Sequence, residues 1–203
     1  MIIESCVDNA DTAISAEHNG AHQIELCANL ELDGLTPDAN LFKAVYDQVS
    51  IDIKVMIRPR SGNFVYSEIE LSQMETEIKI FKQFKVAGFV FGCLTEDKSI
   101  DISKTQRLCD LAHPFPCTFH KAIDEVVDLE KAIRDLNSIN GINFILSSGT
   151  KKTALEGATI LNDMIKWSAD HIHIIAAGKI TNQNLKEIQS KIKTAYFHGK
   201  LIV

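Results

Sequence analysis

The chain has 203 residues, 45% hydrophobic and 24% charged, with 27 acidic side chains against 21 basic ones. These fractions exclude a disordered or fibrous chain, and the length fits one domain able to bury roughly 70% of its unfolded surface. The net charge of -6 argues against a broad nucleic-acid footprint and against binding to an anionic membrane.

The elements alternate along the chain. An apolar run at 2–6 is followed by an amphipathic segment at about 8–19, with Ala10, Ala13, Ile14 and Ala16 on one side and Gly20 as a C-terminal stop. A second strand is expected at 23–27. Thr36-Pro37 then reads as a threonine cap before a proline at the first helical position. A strand at 53–57 precedes a helix over 67–85, where Ile69, Ile78, Ile80, Phe81 and Phe84 lie among Glu and Lys. Strands at 89–93, 117–120, 143–147, 171–176 and 194–198 alternate with helices at 101–112, 129–139, 154–168 and 182–192. Each strand is short and rich in Ile, Val or Phe, as buried parallel strands are.

Strand followed by helix, repeated seven times and ended by an eighth strand, predicts parallel strands with right-handed crossovers. No GxGxxG follows the first strand, so an open dinucleotide-binding sheet loses its main support. The expected fold is a single α/β domain over residues 1–203, a (β/α)8 TIM barrel that lacks the last helix. That gap would leave the first and last strands poorly covered and suggests a homo-oligomer. No run approaches the ~18 apolar residues of a membrane span, and the opening MIIESCVDNAD has no signal-peptide character. The five widely spaced cysteines suggest reduced thiols in a cytoplasmic protein rather than a disulfide framework.

Ligands of such barrels bind at the carboxyl ends of the strands. Alternation of side chains sends Glu4 and Cys6, then Glu25 and Cys27, then Lys54, Met56, Arg58 and Arg60, then Thr118 and His120, towards the barrel interior. The bland explanation is that Glu4 and Glu25 neutralise Arg58 and Arg60 and merely fill the barrel. The functional one is a pocket for a small anionic or hydroxylated ligand, with Arg58 and Arg60 as a bidentate clamp and Glu4 among its polar contacts. Glu-x-Cys occurs twice, and the thiols of Cys6 and Cys27 suit a soft ion such as Cu(I) or Zn, although buried cysteine also serves as a small hydrophobe. Cys93, at the top of the fourth strand, is a further candidate to join them, whereas Cys109 and Cys117 read as core.

His120 and Asp124, four residues apart, form a candidate acid/base pair, with Glu25 as a further catalytic candidate. Ser148, Gly149 and Gly178 end the sixth and seventh strands, where small residues let backbone amides approach a ligand oxygen or simply make tight turns. His171, His173 and His198 read as structural.

The segments Glu25-Leu-Cys27, Asp33-Gly-Leu-Thr-Pro37, Met56-Ile-Arg-Pro-Arg60, Phe64-Val-Tyr-Ser67, Thr118-Phe-His-Lys-Ala-Ile-Asp124 and Ile145-Leu-Ser-Ser-Gly149 resemble the CutC family of copper homeostasis proteins. They run in family order and cover nearly the whole chain. The resemblance implies a cytoplasmic (β/α)8 barrel, commonly oligomeric, with a role tied to copper, and Glu4, Glu25, Cys27, Arg58, Arg60, His120 and Asp124 fall on its motif positions. The sequence departs from the family in three places: a shorter turn at Ala177-Gly178-Lys179, an end soon after the eighth strand, and Val7 after Cys6 where paired cysteines are usual. Two functions are therefore expected: a copper protein holding Cu(I) at Cys6 and Cys27, or an enzyme acting on a small phosphate- or carboxylate-bearing metabolite.

Overall fold

The computed structural model describes residues 1–203. Eight parallel strands close into a barrel in sequence order: β1 Ile2–Val7, β2 Gln23–Leu26, β3 Asp52–Met56, β4 Gly88–Phe91, β5 Cys117–Phe119, β6 Ile142–Ser147, β7 His173–Ala176 and β8 Tyr196–Gly199. β8 closes on β1 with Ile2 opposite Tyr196 and Glu4 opposite His198. Seven helices follow the first seven strands: α1 Ala10–His18, α2 Ala39–Tyr46, α3 Glu68–Phe81, α4 Ile102–Ala112, α5 Leu129–Asn137, α6 Ala158–Trp167 and α7 Leu185–Lys191. After β8 the chain forms only a bridge between Thr181 and Leu201. The expected α/β barrel without a last helix is what forms.

The outward faces of the strands make the larger core. Ile24, Leu26, Val55, Ile57, Phe89 and Phe91 are buried against helix residues such as Phe42, Leu71, Met74 and Ile78. Inside the barrel, Phe144, His173 and Tyr196 stack at the bottom with ring centroids 5.2–5.8 Å apart. Lys54 lies over the Phe144 ring at 4.2 Å. Above it the interior divides between Cys27, Met56 and Val90 on one side and Leu146, Ile175 and Ala177 on the other.

Several local expectations are corrected. α2 is capped by Asp38, whose side chain accepts from the Leu41 amide, so Pro37 precedes the cap instead of opening the helix. Thr36 instead joins two elements, donating to Glu77 and accepting from the Arg58 amide. α3 begins after a Ser67–Glu70 capping box and stops at Phe81. Its buried stripe is Leu71, Met74, Ile78 and Phe81, whereas Ile69 and Ile80 face solvent. Ile14 of α1 is likewise exposed, because Ala13 and Ala16 take the inner face.

Candidate functional site

β1 and β2 run in a register that sets Glu4 against Gln23 and Cys6 against Glu25. β8 brings His198 beside Glu4. These pairings assemble a buried ionic cluster. Glu4 pairs ionically with Lys54 Nζ at 2.9 Å and accepts from Gln23 Nε2 at 2.6 Å on one oxygen, and its other oxygen lies 2.9 Å from His198 Nδ1. Burial alone would raise the Glu4 carboxyl, but the charges of Lys54 and His198 overcome it and hold it at about 2.

His198 Nε2 lies 3.3 Å from Glu25 Oε2. The imidazole therefore stands between two carboxyl groups. Burial opposes its charge, yet Glu25, Cys6 and Glu4 raise it well above the ordinary histidine range. Glu25 has no comparable support. Burial pushes it up to about 8, and its Oε1 has no hydrogen-bond partner.

Cys6 and Cys27 meet with sulfurs 3.9 Å apart. The hydrogen bond from Cys27, with help from His198, lowers Cys6 to about 6. That same hydrogen bond, then burial, raises Cys27 well above the ordinary thiol. At neutral pH the cluster thus carries Glu4 and Cys6 as anions, Lys54 and His198 as cations, and Glu25 and Cys27 as neutral acids. Its charges cancel, which is how a buried network of this size persists.

The opposite wall is built by β3 and β5. His120 is buried at the end of β5, and its Nδ1 accepts from the Ala122 amide at 3.3 Å. Burial and then the Arg58 charge push it down to about 3. It is a neutral imidazole with its proton on Nε2, and that atom has no partner. Gly92 makes room for the ring, since a Cβ there would stand 2.6 Å from Nδ1. Phe64 stacks against His120 at 4.9 Å and under the Arg58 guanidinium at 4.9 Å.

Arg58 is not free to clamp a ligand with its fork. Nη1 donates to the carbonyls of Leu32, Asp33 and Gly34 at 3.1–3.2 Å, and Nη2 to Gly62 at 3.1 Å. It fastens the loop after β2 to the loop after β3. Arg60 turns away from the mouth, donating to Glu70 at 2.5 Å and to the carbonyls of Asn63 and Val65. The expected pair of arginines on one ligand does not form.

Asp124 does not reach His120. The 3-10 turn Lys121–Glu125 swings it under β6, where it accepts from Ser147 Oγ, the Ser148 amide and hydroxyl, the Thr150 amide and Lys121 Nζ. Gly149 donates to Ser147 Oγ. The amide turn at Ser148 and Gly149 is thereby filled by the protein's own carboxylate. Gly178 does line the mouth. Cys93 faces the helix layer, where burial pushes its thiol up to about 12, and Cys109 and Cys117 are buried in the outer core.

Between the walls lies a cavity of about 750 Å³. Cys6, Glu25, Cys27 and His198 line one side, Arg58, Phe64 and His120 another, and Lys121, Lys179 and Lys200 stand at its rim. Sequence reasoning missed His198. The signal was alternation along β8, where inward Tyr196 and outward Phe197 place His198 inward.

Two side-chain groups have the spacing of a metal site. Cys6, Glu25 and Cys27 form one, and Glu4, Glu25 and His198 the other, each with its ligand atoms within 4.8 Å. Lys54 and the charged His198 already satisfy Glu4, so the thiol group is the better fit to a soft cation.

A model of the CutC family matches residues 1–203. The human copper homeostasis protein cutC homolog is 38% identical over 198 residues, covering 98% of this chain and 72% of that protein. A CutC family protein of Histophilus somni is 37% identical, covering 98% and 81%. The crystal structure of a CutC protein from Streptococcus agalactiae superposes with a TM-score of 0.92 at 27% identity, covering all of both chains.

Proposed function

We propose, from the premise that this chain belongs to the CutC family, that it takes Cu(I) as cargo between Cys6 and Cys27 at the barrel mouth. The observation that carries the reading is the 3.9 Å separation of the two sulfurs beside Glu25. With metal–sulfur bonds of ~2.3 Å, one ion bridging them would subtend roughly 115° at the metal. Small outward shifts of either sulfur open that angle towards the two-coordinate geometry.

The protonation states favour a monovalent soft ion. Cys6 is already a thiolate near neutral pH and supplies the first ligand. Cys27 ionises as the ion arrives, so one proton leaves for each positive charge that enters. His198 and Lys54 keep Glu4 charged beneath the site, and Glu25 remains a neutral acid beside it. No helix is long and apolar enough to cross a membrane, and all five thiols are free, which supports a reducing, cytoplasmic setting.

The test is Cu(I) competition against a chromophoric chelator for the native protein and for Cys27→Ser. The native protein should hold one Cu(I), and the variant should lose at least roughly tenfold in affinity. Affinity no better than that of an unrelated thiol protein, or an unaffected variant, refutes the site.

A further inference from the structure

The cavity is far larger than one copper ion needs. Its 750 Å³ falls in the range of sites for small organic molecules. The donors across from the thiols take no part in the copper reading, and they point to a second ligand.

Two turns at the mouth have the shape of an oxyanion cradle. The one after β6 is closed, because Asp124 occupies its amides and hydroxyls. The one after β7 and β8 is open. The backbone N–H groups of Gly178, Lys179 and Lys200 have no acceptor within the protein. Gly178 and Lys179 both adopt positive φ, +106° and +55°. Only glycine fits at 178, since a Cβ would stand 2.8 Å from that of Ser148. Asn184 pins the turn, donating to the Lys179 carbonyl at 2.9 Å and accepting from the Thr181 amide at 2.8 Å. In barrels of this type the loops after strands seven and eight are the frequent phosphate position.

We infer that the mouth binds a small organic phosphate, its phosphoryl group on the Gly178–Lys179 and Lys200 corner and its body reaching towards the unpartnered Nε2–H of His120. Neither the Lys179 nor the Lys200 ammonium has a carboxylate partner within 4 Å, and both line the cavity. Amides and two point charges suit a tetrahedral dianion with several acceptor oxygens. A planar carboxylate would favour a free arginine fork, and the Nη atoms of Arg58 are engaged with carbonyls. His120, 3% exposed, offers a buried donor to a hydroxyl or carbonyl oxygen of the ligand body. This inference goes beyond the copper reading and does not depend on it.

The experiment measures thermal shifts and 31P line broadening with inorganic phosphate and glycerol 3-phosphate, with glycerol as a blank. The native protein should show saturable binding of both phosphates at millimolar concentrations. K179A/K200A should weaken both at least roughly tenfold while its ligand-free melting temperature stays native, which shows that it is folded. His120→Phe should weaken glycerol 3-phosphate and leave inorganic phosphate unchanged. Absence of saturable binding to the native protein, or native-like binding by K179A/K200A, overturns the inference. Equal weakening of both probes by His120→Phe overturns the placement of the phosphoryl group.

Discussion

Loading of the thiol pair should release a number of protons set by Cys6. With Cys6 at about 6 and Cys27 well above the ordinary thiol range, the ion-free site at pH 7.5 holds one thiolate and one thiol. Making both into ligands then releases roughly one proton per Cu(I). At pH 5 only about one tenth of Cys6 is ionised, and the release rises to roughly 1.9 protons. By linkage, each unit by which the pH drops weakens the affinity about tenfold near pH 7.5 and approaches a hundredfold near pH 5. The assay is anaerobic calorimetry of Cu(I) transfer from a chelator of known protonation, in buffers of different ionisation heat at each pH. Two protons at pH 7.5, or the same count at both pH values, would refute the assignment of Cys6 as the standing thiolate.

Other perturbations separate the roles of the buried groups. Burial raises Glu25 to about 8 against ~4.3 in an unfolded chain, so its stabilising share is full below pH ~4.3 and is lost as pH rises through about 8. Glu25→Gln should therefore match the native melting temperature near pH 4 and exceed it by a few kcal/mol of stability at pH 8; a gap independent of pH would contradict the burial argument. Arg58→Ala strands four loop carbonyls and should cost about 3–5 kcal/mol in urea unfolding. Arg60→Ala, whose partners are partly exposed, should cost under about 1 kcal/mol, and equal losses in the two variants would sink the distinction. Gly92→Ala would press a methyl group onto His120 Nδ1 and should cost about 1–3 kcal/mol, with a displaced His120 ring signal in NMR; an unshifted signal would show that the ring is not so confined.

The barrel and much of its mouth were legible because alternation has a period of two and needs no distant information. It placed Glu4, Cys6, Glu25, Cys27 and Lys54 inside the barrel from three short strands. It failed at His198 for want of one residue: the expected strand at 194–198 put His198 at its edge, whereas β8 runs Tyr196–Gly199 and sets it within. The partners of Arg58 were not legible at all. They are backbone carbonyls 24–26 positions away on a loop, and every residue carries such an acceptor. His120 and Asp124 looked paired by spacing, but a tight 3-10 turn separates them and hands the carboxylate to the loop after β6.

The charge inventory also bears on which cation the thiol pair accepts. With Glu25 and Cys27 protonated, the cluster is neutral, and a monovalent ion restores that state by displacing the single proton of Cys27. A divalent ion leaves one unmatched positive charge among buried groups unless Glu25 ionises as well, against the burial that holds it near 8. Lys54 and His198 are already neutralised by Glu4 and Cys6, so no other buried acid stands ready. The cluster should therefore discriminate by valence as well as by softness, and Glu25 is the group that tests this. In Glu25→Gln, Cu(I) affinity at pH 7.5 should stay within roughly threefold of native, while Cd(II) binding, read from its thiolate charge-transfer band, should weaken at least roughly tenfold. Equal losses for both ions would mean that the Glu25 carboxylate ligates copper itself, and that the neutrality of the cluster does not choose its cargo.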